Sequence, residues 1–229
     1  SRLKIPLGIN IGRSKVVKTE DAAADYLFTF ERLYSFGDFF TLNVSSPNTP
    51  NLRDLQEKNL LKDLLAAIQT KNQELAEKER SGRKPIFVKV DPDMEISQLD
   101  QVIDVLGSQQ VTGIIATNAT AFLREKLTTR VDEPGGLSGK PLRERATSFI
   151  RHIYQATRGR LPIIGVGGIF TAEDAYEKIK AGATAVQILT GFVYEGPCAV
   201  KRINRGLLSL MERDGFKDIS EVVGSGAGV

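Results

Sequence analysis

A chain of 229 residues can bury roughly three quarters of the surface it exposes when unfolded, so a single large core needs no covalent staples. With 41% hydrophobic and 26% charged residues it is an ordinary globular chain, not a disordered, collagen-like or low-complexity one. One Cys and one His exclude a disulfide framework, a cysteine zinc cluster and a His-based metal centre or triad, so no metal is expected. The charges behind a net +3 are scattered and form no basic stripe of the kind nucleic acid requires.

The chain begins at Ser1 without a Met and almost at once enters Ile5-Pro6-Leu7-Gly8-Ile9-Asn10, an abrupt start that reads as N-terminally incomplete. Strands are expected at Ile5–Asn10, Phe39–Val44, Pro85–Val90, Gly113–Thr117, Pro162–Val166 and Ala185–Leu189, each an apolar run suited to burial on both faces. Helices are expected between them, over Glu20–Leu33, Leu60–Leu75, Ile96–Leu106, Pro141–Thr157 and Cys198–Met211, and after Thr171. Pro141 suits a first helical turn, and Thr171 followed by Glu173 and Asp174 reads as an N-cap with acids at the positive end of the helix dipole. The Glu77–Lys84 run is balanced in sign and reads as a solvated helix end. Gly224–Gly228 reads as a flexible tail. No apolar stretch approaches the roughly 18 residues that span a bilayer, and no signal peptide is expected.

This alternation predicts one α/β domain over residues 1–229, with no second domain. The strand ends distinguish a barrel from an open sheet. Almost every expected strand runs into small polar residues: Asn10, Asn43 with Ser45 and Ser46, Lys89, Thr117 with Asn118, Gly167 with Gly168, and Thr190 with Gly191. Convergence from so many strand ends marks the active face of a (β/α)8 barrel, whereas an open sheet uses only the strands beside its switch point. Six expected strands would supply about six of the eight βα units.

Gly165-Val166-Gly167-Gly168 starts like a dinucleotide fingerprint, but Phe170 stands where the third glycine belongs. Gly135-Gly136-Leu137-Ser138-Gly139-Lys140 resembles a Walker loop broken by Pro134 and Pro141. What remains is a pair of glycine turns that either hold a phosphate on backbone amides or simply turn the chain. Asn43-Val44-Ser45-Ser46-Pro47-Asn48-Thr49-Pro50 offers two amides that could bind a planar ring with imide-like donors and acceptors, with a hydroxyl between them to take a proton. The same residues could also be a plain turn. Lys89 closes an otherwise apolar strand, which leaves three roles open: Schiff base, stabiliser of an anionic cofactor or intermediate, or a structural snorkelling lysine. His152 reads as a surface residue and Cys198 as a packed thiol.

In combination, Pro6-Leu7-Gly8-Ile9-Asn10, the Asn43–Thr49 loop, Phe87-Val88-Lys89-Val90, Thr117-Asn118, Gly135-Gly136-Leu137-Ser138-Gly139-Lys140-Pro141 and Ile164-Gly165-Val166-Gly167-Gly168-Ile169 resemble dihydroorotate dehydrogenase. The similarity extends over nearly the whole chain and points to the membrane-associated class 2 enzymes. It implies an FMN-binding oxidoreductase that converts dihydroorotate to orotate in pyrimidine synthesis. By that resemblance Ser46 is the base that takes the C5 proton; class 1 enzymes have Cys there, so Ser46 indicates class 2, whose electron acceptor is a quinone. Asn43, Asn48 and Asn118 would hold the substrate ring. Asn10, Asn43, Lys89 and Thr117 would contact the flavin, with Gly139, Gly168, Leu189 and Thr190 around its phosphate. The resemblance also implies a peripheral place on a membrane, bacterial inner or mitochondrial inner, reached through an N-terminal segment that this sequence lacks together with two early strands. Ala119 replaces a hydroxyl usual in the family. Outside the resemblance, a flavin-free phosphate-binding barrel isomerase or lyase, or a non-catalytic fragment, are the competing readings.

Overall fold

The computed structural model describes residues 5–122, 127 and 133–228. Its backbone groups into two compact units, Ser1–Val90 with Glu95–Gly113, and Asp91–Met94 with Ile114–Val229.

In the first unit, β1 (Gly8–Ile11), β2 (Phe39–Asn43) and β3 (Ile86–Val90) run parallel, β2 between the other two. Pro6 cannot donate to a ladder, and β1 accordingly starts two residues after it. Helix α1 (Ala22–Leu33) buries Ala22, Tyr26 and Phe30 at a spacing of four, one stripe of a helix. Phe30 meets Phe40 and Tyr34 edge to face, with centroids 4.7 and 5.3 Å away, within the range where aromatic pairs attract beyond simple burial. Helix α2 (Lys58–Glu79) is capped by the Glu57 carboxylate, which accepts from the amides of Asn59 and Leu60. Its buried Asn72 is satisfied on both sides of its amide: Oδ1 accepts from the Tyr34 hydroxyl and the Lys84 amide, and Nδ2 donates to the Lys84 carbonyl. A buried amide so satisfied fixes where the chain enters β3. Helix α3 (Ile96–Ser108) buries Leu99, Val102, Val105 and Leu106.

In the second unit, β4 (Gly113–Ala116), β5 (Ile163–Val166) and β6 (Ala185–Gln187) are again parallel, with β5 central. Pro141 sits in a 3₁₀ turn, Lys140–Leu142, that leads straight into α4 (Arg143–Thr157). Helix α5 (Ala172–Lys180) opens with a capping box, since the Thr171 hydroxyl accepts from the Asp174 amide while the Asp174 carboxylate accepts from the Thr171 amide. The short α6 (Thr190–Glu195) precedes α7 (Ala199–Asp214), whose Ile203, Leu207, Leu210 and Met211 pack with Tyr176 and Ile179 of α5. Val222 of α8 (Ile219–Val222) completes that core.

Four expectations change. β1 and β6 are not buried on both faces: Gly8 and Asn10 are exposed, as are Ala185 and Gln187. Among the described pairings, β1 lies beside β2 alone in its unit and β6 beside β5 alone, so each lacks a second neighbour there. The last expected strand stops at Gln187, and Leu189 becomes the N-cap of α6 with 69% of its surface exposed. Gly224–Gly228 is not a loose tail: the amides of Gly224 and Gly226 donate to the carbonyls of Ile179 and Lys180, and Ala227 is buried. The positive φ of Gly224, 77°, lets the chain reverse and satisfy carbonyls that the end of α5 leaves without helical partners. Cys198, expected to be packed, is exposed at the N-cap of α7.

Candidate active site

The expected site residues fall in both units, and each half has its own geometry. In the first unit the parallel register pairs Asn10 with Thr41 and Asn43 with Lys89. Register partners and residues two apart share a sheet face, so Asn10, Thr41, Asn43 and Lys89 share one, at the C-terminal ends of three adjacent strands. A Cβ on Gly12 would lie in ordinary contact, 3.4 Å, with the Asn43 carbonyl oxygen. Lys89 is half-buried, and among the described residues no acceptor or carboxylate pairs with its ammonium. Burial alone pushes its pKa below the usual lysine value. A half-buried cation without a protein partner is suited to an anionic or strongly accepting ligand atom.

Beyond β2 the chain enters the loop that carries Ser46. Ser45 is fully buried and donates to the Asn43 side-chain oxygen at 3.1 Å, whereas the half-buried Ser46 hydroxyl accepts from the Asn48 amide at 3.2 Å. Among the described residues no His, carboxylate or lysine is hydrogen-bonded to Ser46. Asn48 is exposed at the loop's crest.

Two residues outside the expected set hold this loop. Arg13, 7% exposed, donates through its guanidinium to the carbonyls of Val17 and Pro50, clamping the loop after β1 to the loop after β2. The Tyr26 hydroxyl donates to the Asn43 carbonyl at 2.9 Å, and burial raises its pKa well above the ordinary phenol value, so it remains a donor. Asp25, beside it on α1, accepts from the amide and hydroxyl of Ser14. Tyr26 carried a helical-stripe signal in the sequence. Arg13 carried none, because both its partners are backbone carbonyls and one of them, that of Pro50, is far along the chain.

In the second unit Thr117 is buried after β4, its amide donating to Val166 at 3.1 Å. The Asn118 side-chain oxygen accepts from the Ala119 amide at 2.8 Å. The following residues are tied down by Asp93, whose carboxylate accepts from the Thr120 hydroxyl and the Ala121 amide. Three further segments converge. The hydroxyls of Ser138 and Thr190 are 2.7 Å apart, a Cβ on Gly139 would lie 3.0 Å from the Thr190 methyl, and one on Gly191 would strike the Ile169 carbonyl. Gly139 and Gly168 have φ of +86° and +71°, conformations that L side chains rarely adopt. Among the described residues the amides of Gly139, Gly168 and Thr190 donate to no acceptor. Such free amides on a Cβ-less turn form a ready cradle for phosphate oxygens. His152 is half-buried on α4 and belongs to neither half.

Parallel strands alternating with helices, with small polar residues following the C-terminal strand ends, place the chain in the α/β-barrel class of proteins. A family model described as dihydroorotate dehydrogenase matches residues 2–211. The chain is 49% identical over 223 residues to dihydroorotate dehydrogenase (quinone) of Gloeobacter violaceus, covering 97% of this chain and 61% of that protein. It is 48% identical over 229 residues to the enzyme of the same name from Nostoc punctiforme, covering 96% of this chain and 58% of that protein. A crystal structure of the Eimeria tenella enzyme in complex with ferulenol superposes with a TM-score of 0.88 at 31% identity, over 98% of this chain and 62% of that one. The chain belongs to the dihydroorotate dehydrogenase family, and its fold is the TIM-type barrel of that family. It spans about 60% of the length of the relatives it matches.

Proposed function

We propose that this chain supplies the general base, the flavin lysine and the phosphate turns of an FMN-dependent, quinone-linked dihydroorotate dehydrogenase acting in pyrimidine biosynthesis. The observation that carries this reading is the register that sets Asn43 beside Lys89, whose ammonium no described residue pairs with, immediately before the Ser46 loop. The reading of residues 1–229 as part of one barrel domain belongs to the same proposal.

Bound FMN would supply the hydride acceptor. The protein's own residues do the rest. By the family resemblance Asn43, Asn48 and Asn118 would hold the planar ring by its amide and imide edges, and Asn10, Asn43, Lys89 and Thr117 would hold the flavin, where the Lys89 ammonium would favour negative charge. Gly139, Gly168, Leu189 and Thr190 surround the phosphate. Ser46 Oγ takes the proton from substrate C5 and releases its own proton to water, while the C6–H bond gives up its electron pair as hydride; the C5=C6 double bond of orotate results. In sum, the two electrons and two protons removed from C5 and C6 would end on a quinone, which would become the quinol. A membrane-surface location, bacterial or mitochondrial, is proposed for the whole protein on the strength of relatives named for quinone. No helix among the described residues is long and apolar enough to cross a membrane.

The test is a flavin spectrum of the purified whole protein, followed by anaerobic addition of dihydroorotate. Bleaching of the flavin band, with orotate formed in equal amount, is the expected result. A protein that copurifies with no flavin and takes up none, or whose flavin is not reduced, would sink the reading. Borohydride trapping of a carbonyl substrate on Lys89 would support instead a lysine-based lyase.

A further inference from the structure

Among the described residues, Lys178 is the only lysine wholly withdrawn from solvent, and the site as assigned does not use it. It lies on α5, behind the Gly167-Gly168 turn. Its ammonium donates to the Arg143 carbonyl at 3.3 Å and the Thr147 hydroxyl at 3.0 Å, both in the first turns of α4. On the outer side the Arg143 guanidinium bridges Asp174 at 2.8 Å and Glu177 at 2.6 Å. Asp174 in turn accepts from the amides of Phe170 and Thr171 at 2.9 and 3.0 Å.

Those contacts close a ring behind the Gly167-Gly168 turn. A Cβ on Gly168 would lie 2.5 Å from the Arg143 Cβ and 2.8 Å from its Cα, and one on Gly167 would lie 3.0 Å from the Ala146 Cβ. The first turn of α4 is therefore the floor on which the Gly167-Gly168 turn rests. Gly139 stands at the head of the same helix, its carbonyl accepting from the Leu142 amide at 3.0 Å, one residue before α4 begins. A shift of that helix end would move both glycine turns. Two cations face two carboxylates here, so the ring carries no net charge.

We propose that Lys178 and Arg143 are positioning residues for the phosphate end of the flavin: by pinning the first turn of α4 to α5 they set the spacing and aim of the free amides of Gly139 and Gly168. The inference rests on the flavin reading above and assigns that cradle two residues that do not touch the ligand. Loss of either pin loosens the grip on phosphate and leaves the ring system of the flavin unaffected.

The experiment compares the whole protein loaded with FMN and with riboflavin, which lacks the phosphate. Dissociation constants are read by dilution, from the fluorescence of released flavin. Lys178→Met should raise the constant for FMN roughly tenfold or more and leave that for riboflavin unchanged. The variant is expected to fold, because the Arg143 carbonyl keeps the Thr147 hydroxyl as donor at 2.9 Å. Arg143→Gln, at a side chain 44% exposed, should show the same phosphate-selective loss and serves if Lys178→Met does not fold. Unchanged FMN affinity in these variants, or equal losses for both flavins, would overturn the proposal. A parent protein that binds neither flavin would overturn the cofactor reading itself, and with it this inference.

Discussion

Ser46 and Lys89 occupy different environments and should fail differently. The Ser46 hydroxyl accepts one backbone hydrogen bond and is half-buried, so Ser46→Ala removes a proton acceptor and leaves the loop's backbone partners in place. Flavin reduction in the whole protein should fall by about 10²–10⁴-fold, the usual worth of a positioned base, with a smaller effect on orotate binding. Stopped-flow reduction by dihydroorotate checks this, and equal rates in variant and parent would remove Ser46 from the role. Lys89→Ala instead deletes the cation that no described protein group pairs with. Its expected signature is weaker retention of flavin, measured by flavin content after gel filtration; full retention would place the lysine outside the flavin site.

At the scale of elements, the Ser46 loop is held from a distance. Arg13, just past β1, joins Val17 to Pro50, and Tyr26 of α1 takes up the carbonyl that ends β2. Arg13→Ala leaves two carbonyls without their charged donor and frees the loop's far end. A displacement of about 1 Å at a reacting group can cost on the order of 10²-fold in rate. The turnover number should therefore drop by roughly that factor while FMN binding is retained, and Arg13→Lys should restore part of it. An Arg13→Ala enzyme with parental turnover would show that the loop holds its shape unaided. The loop's composition was legible in the sequence, since Asn43, Ser46 and Asn48 are adjacent in the chain. Its fastening was not, because Arg13 and Pro50 are 37 residues apart and joined through a carbonyl that any residue type would provide.

For the molecule as a whole, the buried Lys178 links stability to pH. Burial lowers its pKa from 10.5 to about 8, with the Glu177 charge pulling the other way. Below about pH 8 folded and unfolded chains both carry the proton and no slope arises from this group. Between about pH 8 and 10 the unfolded chain keeps a proton that the folded one sheds, so unfolding takes up protons and stability rises with pH, by about 2 kcal/mol. Above the ordinary phenol value of 10 the buried Tyr26, Tyr34 and Tyr176, all with raised pKa, act in the opposite sense. Urea unfolding at pH 8 and 10 tests this by difference: the parent should gain more than Lys178→Met, and equal gains would place the titration elsewhere, Lys89 included.

The sequence by itself determined the βα alternation, the polar strand ends and the glycine turns, because each is written in neighbouring residues: apolar runs, cap residues and Gly pairs. Thr171 announced the N-cap of α5 in the same way, while the reciprocal Asp174 bond emerged only in the structure. Only the tertiary structure decided which cations are buried. Lys178 sits among Ala175, Tyr176 and Ile179 on a short helix whose Glu and Lys content reads as solvated, and its burial depends on α4 lying across that face. The structure likewise turned the glycine-rich C-terminus from an expected tail into the cap on the last carbonyls of α5. Periodicity and caps are local and survive in the one-dimensional chain; burial, and hydrogen bonds to distant backbone carbonyls, exist only once another element has been laid over the residue.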